Sequence, residues 1–143
     1  MTLATAESIT GGLIGHVLTE TPGSSRVFLG GVITYDNRLK EGIGVPAQTL
    51  AKHGAVSEET AIAMANGIRD WAGADVGVAV TGIAGPGGAT ETKTVGLTYV
   101  AVADRGGAVS ERHVWTADRS ANKISTAEAA LRLVLRRLSE NQA

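Results

Sequence analysis

The chain has 143 residues, 43% hydrophobic and 3% aromatic, with a formal net charge of −1 and no cysteine. That length fits one domain with its own core, and the near-neutral balance argues against nucleic acid or a membrane surface as partner. Disulfides, thiolate zinc sites and cysteine nucleophiles are excluded, which fits a reducing cytoplasm, and no stretch reads as a membrane span or signal peptide.

Leu3 to Ala6 reads as a short strand, and residues 10–20 as a helix with Leu13, Ile14, Val17 and Leu18 on one face. Thr21-Pro22-Gly23-Ser24-Ser25 stops it. Val27 to Tyr35 predicts a buried strand, followed by a turn at Asp36-Asn37-Arg38 and a short helix carrying Leu39 and Lys40. Pro46 to Lys52 reads as another helix, because proline suits a first helical turn. Ser57 is an N-cap for a helix over residues 58–72, with Glu58 and Glu59 complementing its dipole and Gly73 as the stop. Asp75 to Thr81 is a Val/Ala strand of the kind buried on both faces. A glycine-rich loop runs from Gly82 to Thr94. Val95 to Ala103 and Val109 to Trp115 predict a hairpin around Asp104-Arg105-Gly106-Gly107. The last helix spans residues 119–139, with Ile124, Ala127, Leu131, Val134 and Leu138 as its buried stripe.

Strands alternate with helices and then close with a hairpin and a helix. The pattern predicts an α/β fold, a single-domain mixed sheet covered by helices in three α/β/α layers, over residues 1–143. Glycine, at 19 residues, is about twice its ordinary share of roughly 7%, and it clusters at turns between apolar runs.

Four segments carry candidate chemistry. Thr5-Ala6-Glu7-Ser8-Ile9-Thr10-Gly11-Gly12 runs from a strand into a helix N-terminus, where free N–H groups suit an anion and glycines admit a ligand. Ser8 and Thr10 place hydroxyls there, although capping alone would also use them. Thr81-Gly82-Ile83-Ala84-Gly85-Pro86 joins a strand end to a loop, the place where α/β proteins bind ligands. Thr34 to Lys40 gathers a phenol, an amide and two cations. Asp118-Arg119, with Lys123, opens the last helix. Gly42-Ile43-Gly44 lacks the preceding strand of a dinucleotide fingerprint, and His16, His53 and His113 lack metal-ligand spacing.

Taken together, several ordered blocks resemble one family. They are Thr5-Ala6-Glu7-Ser8-x-Thr10-Gly11-Gly12, Gly23-Ser24-Ser25, Tyr35-x-Asn37-x-x-Lys40, Gly54-Ala55-Val56-Ser57, Gly82-Ile83-Ala84-Gly85-Pro86, Glu91-x-Lys93-x-Val95-Gly96 and Asp118-Arg119. The chain resembles the C-terminal domain of the competence/damage-inducible protein CinA, a family that includes stand-alone nicotinamide mononucleotide deamidases. The resemblance implies hydrolysis of nicotinamide mononucleotide to nicotinic acid mononucleotide and ammonia, a pyridine-nucleotide recycling step. It also implies a cytoplasmic homodimer or higher homo-oligomer without metal or cofactor.

By the same resemblance, Ser8 is the nucleophile, Lys40 lowers its pKa or takes its proton, and Tyr35 and Ser25 assist proton transfer or orientation. Glu7, Thr10, Gly11, Gly12, Ser25, Asn37, Thr81, Gly82, Gly85, Glu91 and Arg119 match substrate-binding positions, with the Glu91 loop closing the pocket and Arg119 a phosphate ligand. The implied chemistry is coherent, since an amide needs an activated nucleophile and a stabilised oxyanion. The Thr10–Gly12 N–H groups suit either an oxyanion hole or a phosphate cradle. The chain departs from the family pattern at Ile9 (usually cysteine), Thr94 (proline), Ala117 (glycine) and Lys123 (arginine). Its first motif begins almost at Met1, where relatives usually carry a preceding helix. The alternative function is a nucleotide- or partner-binding module without catalysis.

Overall fold

Runs of valine and alanine form the middle of one five-stranded sheet. The computed structural model describes residues 1–142. The strands are β1 (Leu3–Glu7), β2 (Phe28–Ile33), β3 (Val76–Gly82), β4 (Leu97–Asp104) and β5 (Gly107–Val114), in the order β2-β1-β3-β4-β5. β1 is parallel to both β2 and β3, whereas β4 and β5 pair antiparallel. The helices are α1 (Leu13–Thr19), α2 (Asn37–Gly42), α3 (Ala47–His53), α4 (Glu58–Ala72) and α5 (Arg119–Glu140).

Alternation along the strands divides the core into two layers. On one face Val78, Val80, Val100 and Val102 meet Ile14 of α1 and Ala127, Ala130, Leu133 and Val134 of α5. On the other, Ala4, Ala6, Ala79 and Ala101 meet Ala61, Met64, Ala65 and Ile68 of α4. This is the three-layer arrangement that the element order predicts. Small side chains let α4 approach closely, and a methyl group added at Gly77 would overlap the Ala65 carbonyl oxygen. α4 matches its predicted span, with Ser57 Oγ accepting from Thr60 N–H and Gly73 at the C-cap.

Two expectations are corrected. The Val27–Tyr35 strand is not buried: β2 is an edge strand, and Leu29 is 50% exposed. Among the described residues no strand pairs with its outer edge; Leu29 and Ile33 are half exposed, while Val32 packs against the core. The predicted stripe of α5 fails at Ile124, which is 59% exposed, because the buried face at that end of the helix runs instead through Asn122 and Thr126. Ala127 and Val134 do lie in the core, with Leu131 and Leu138 partly buried against it.

Parallel pairing aligns the carboxyl ends of β2, β1 and β3. Glu7 stands opposite Ile33 and Val80, so Ser8 lies one step beyond, level with Thr34 and Thr81. Ser8 N–H extends the ladder to Val80 O at 3.1 Å, and Thr34 N–H donates to Glu7 O at 2.8 Å. Loops at such strand ends form the usual ligand crevice of an α/β sheet.

Candidate active site

The turn after β1 is built around Glu7. Its side chain is buried and accepts from Thr10 Oγ1 at 2.7 Å, Ile14 N–H at 2.7 Å and Gly15 N–H at 2.9 Å. A longer bond comes from Thr5 Oγ1 at 3.4 Å. The α1 N-cap is Gly12, which has no side chain to offer, so Glu7 reaches across to satisfy the helix N-terminus. Gly11 and Gly12 adopt φ +61° and +105°, a left-handed path that glycine follows without strain.

Two expectations change as a result. The α1 N-terminus is not an open anion cradle, because the chain's own carboxylate fills it. Glu7 faces inward and does not line the cavity described below. Gly11 N–H is also engaged, donating to Ser8 O at 3.1 Å.

Lys40 comes from α2, whose N-cap Asp36 accepts from Arg38 N–H. The Lys40 side chain folds inward and the residue is only 1% exposed. Nζ donates to the carbonyls of Thr34 at 2.7 Å and Tyr35 at 3.2 Å. Among the described residues it has no carboxylate partner within ion-pair distance. Burial pushes its pKa below the ordinary lysine value, opposed only by the field of Asp36. A neutral amine has two N–H groups and one lone pair. The two carbonyls can take both N–H groups, which leaves the lone pair as the group offered to a neighbour.

Ser8 and Lys40 line one cavity of about 200 Å³, together with Ile9, Tyr35, Asn37, Ala55, Val56, Thr81, Gly82, Ala84 and Arg119. Arg119, in the first turn of α5, bridges two of its sides. It donates from Nη1 to Gly85 O at 2.9 Å and from Nη2 to the Tyr35 hydroxyl at 3.2 Å. Thr81 Oγ1 donates to Ala55 O at 2.8 Å and so ties the loop before α4 to the end of β3. Wider depressions exist elsewhere, but none brings a buried lysine to a serine.

The fold therefore brings together Ser8, Tyr35, Asn37, Lys40, Thr81, Gly82 and Arg119. Gly85 joins them only through its carbonyl. Thr10, Gly11 and Gly12 border a neighbouring depression of about 440 Å³ with Ser120 and Lys123. Ser25 is exposed in the turn before β2, and Glu91 is exposed in the loop before β4; neither lines the cavity. Ala55 and Val56 are wall residues not predicted as site residues, although they fall within the Gly54–Ser57 block. Asn122 is a further omission. It is fully buried and donates to Ala84 O and Ala117 O, holding the Arg119 turn against the glycine-rich loop.

Among the described residues, no helix is long and apolar enough to cross a membrane. Residues 1–138 match the family model described as the CinA C-terminal domain. A CinA-like protein of Chlorobaculum tepidum is 50% identical over 146 residues, covering 98% of this chain and 34% of that protein. A CinA-like protein of Salinibacter ruber is 48% identical over 139 residues, covering 96% and 34%. This chain thus spans about a third of the length of the curated relatives it matches. The crystal structure of competence/damage inducible protein CihA from Agrobacterium tumefaciens superposes with a TM-score of 0.92 at 41% identity, covering 95% of this chain and 84% of that one. A CinA superfamily protein from Klebsiella pneumoniae gives a TM-score of 0.93 at 33% identity, covering 97% and 88%. With residues 1–138 matched by the family model and a solved relative superposing over 95% of this chain, the chain belongs to the CinA C-terminal domain family.

Proposed function

We propose that this cavity hydrolyses the carboxamide of nicotinamide mononucleotide, giving nicotinic acid mononucleotide and ammonia. The observation that carries the reading is a buried lysine without a carboxylate partner, sharing a small cavity with a serine at a strand end. Ser8 Oγ attacks the carboxamide carbon while Lys40 Nζ takes its proton. The tetrahedral intermediate collapses as that proton passes to the departing ammonia, and water then cleaves the acyl-serine. Desolvation suits Lys40 to this work, because a lysine base must lose its proton near neutral pH. Tyr35 and Arg119 stand at the mouth as orienting groups, and Arg119 keeps further N–H donors for a substrate anion.

A second reading is a binding module without catalysis. It is favoured by one observation: no hydrogen bond joins Ser8 Oγ to Lys40 Nζ, whose recorded partners are both carbonyls. Catalytic bonds are often long before substrate binds, so hydrolysis remains the better reading. We further place the protein in the cytoplasm as a homo-oligomer, with the exposed apolar residues of β2 as one contact surface. Ammonia release from the mononucleotide by the purified chain, beside Ser8→Ala and Lys40→Ala, tests the main reading. Turnover lost in both variants supports it. Full turnover in Ser8→Ala overturns it, and tight calorimetric binding with no ammonia from the wild type selects the module.

A further inference from the structure

Several cavity walls are held by side chains bonded to main-chain carbonyls, and one of these anchors has no part in the chemistry above. Lys93 lies on the returning limb of the loop between β3 and β4. Its Nζ donates to the carbonyl of His53, the last residue of α3, at 2.7 Å. Lys93 is half-buried and forms no ion pair among the described residues. The limb is stiffened locally, since Lys93 N–H donates to Thr90 Oγ1 at 3.0 Å and Thr90 N–H to Lys93 O at 2.8 Å.

The segment that Lys93 grips leads directly into Ala55 and Val56 of the cavity wall. Two of its carbonyls are already held. Gly54 O accepts from Ser57 Oγ and Thr60 Oγ1, and Ala55 O accepts from Thr81 Oγ1. The outgoing limb of the loop is fixed as well, with Ala84 O held by Asn122 and Gly85 O by Arg119. Lys93 is the side chain that ties the returning limb to the wall. A cation on a neutral carbonyl makes a directional bond of the stronger kind.

We propose that Lys93 is a positioning residue: by tying the loop to the His53–Val56 segment it sets the width of the cavity and so the affinity for a carboxamide nucleotide. The inference rests on the hydrolase reading for its substrate but not for its geometry. A cavity of about 200 Å³ sits below the roughly 300–1,000 Å³ usual for ligand pockets, so small changes in wall spacing decide what enters.

Lys93→Met keeps the apolar stem and removes the ammonium. Amide hydrogen exchange over residues 84–95 and 53–56 should quicken about tenfold while α4 and β3 keep their protection. KM for nicotinamide mononucleotide should rise about tenfold, with kcat within about twofold of wild type. Lys93→Arg retains a donor and should restore both readouts, and Lys93→Gln replaces the Met variant if that chain fails to fold. Unchanged exchange overturns the proposal. So does faster exchange with an unaltered KM, or a loss confined to kcat. If the wild type releases no ammonia, the hydrolase reading falls, while exchange and the calorimetric Kd of the mononucleotide still decide the role of Lys93.

Discussion

The sharpest stability prediction concerns Glu7, expected from the sequence at the ligand and found beneath the serine turn. Its two carboxylate oxygens accept from two backbone N–H groups of α1 and from Thr10, with a longer bond from Thr5. Glu7→Ala strips all of these acceptors. Losing a cap costs about 0.5–2 kcal/mol, and each buried donor left without a partner costs about 1–3 kcal/mol. Part of the loss is recovered if water enters the space. A total of about 3–5 kcal/mol is expected, at the severe end for a single substitution. Glu7→Gln retains one oxygen but turns an amide N–H₂ toward donors, and about 2 kcal/mol is expected. Urea unfolding followed by circular dichroism measures both. The ammonia assay should show lower kcat in any folded fraction, since the turn no longer holds Ser8. A Glu7→Ala loss below about 1 kcal/mol would refute the capping argument.

Other outcomes follow from the same geometry. Burial lowers the Lys40 pKa below 10.5, so kcat/KM should climb with pH as that amine loses its proton; a flat profile from pH 6 to 9 would remove Lys40 as the base. The same burial disfavours the charged folded state at low pH, and this penalty should fade as pH rises through the depressed value toward 10.5, making Lys40→Met flatten stability against pH. Arg137 donates twice to Asp104 and holds its carboxyl well below the usual range. The pair's contribution is therefore present above pH 3.8 and lost as pH falls through the depressed value. Arg137→Met should cost about 2 kcal/mol in urea at pH 7 and much less in acid. Gly77→Ala should cost about 1–3 kcal/mol or more in thermal unfolding, because the added methyl meets the α4 backbone.

Local signals account for much of the fold. Ser57, Glu58, Glu59 and Gly73 mark both ends of α4 by chemistry that acts within a few residues. The Val/Ala-rich run marks β3 as central, because a strand covered on both faces is usually apolar along its length. Val27 to Ile33 carries a similar apolar signal yet lies at the edge. Composition reports that a segment is a strand, whereas its neighbours are set by the path of the whole chain. Ile124 fits the stripe by period, but the buried face there passes through Asn122 and Thr126, polar residues that an apolar pattern overlooks. At the site, spacing could not reveal that Lys40 turns inward, since a lysine beside Asp36 and Arg38 reads as exposed. Resemblance named Lys40, and three-dimensional packing supplied its desolvation. The bond from Thr81 to Ala55 joins residues 26 apart in sequence, a separation at which no periodic pattern operates.

Glu7 also shapes how any negatively charged ligand would be met on this face. With one helix terminus already neutralised from within, an incoming anion depends on long side chains at the rim, Arg119 and Lys123 among them. Their attraction acts through solvent and weakens over a Debye length of about 8 Å at physiological salt. Ionic strength should therefore tune capture from solution while leaving the interior step at Ser8 and Lys40 largely untouched. On the proposed hydrolase reading, recruitment falls to cations at the rim, and bond-breaking to Ser8, just beyond β1, and the buried Lys40 of α2.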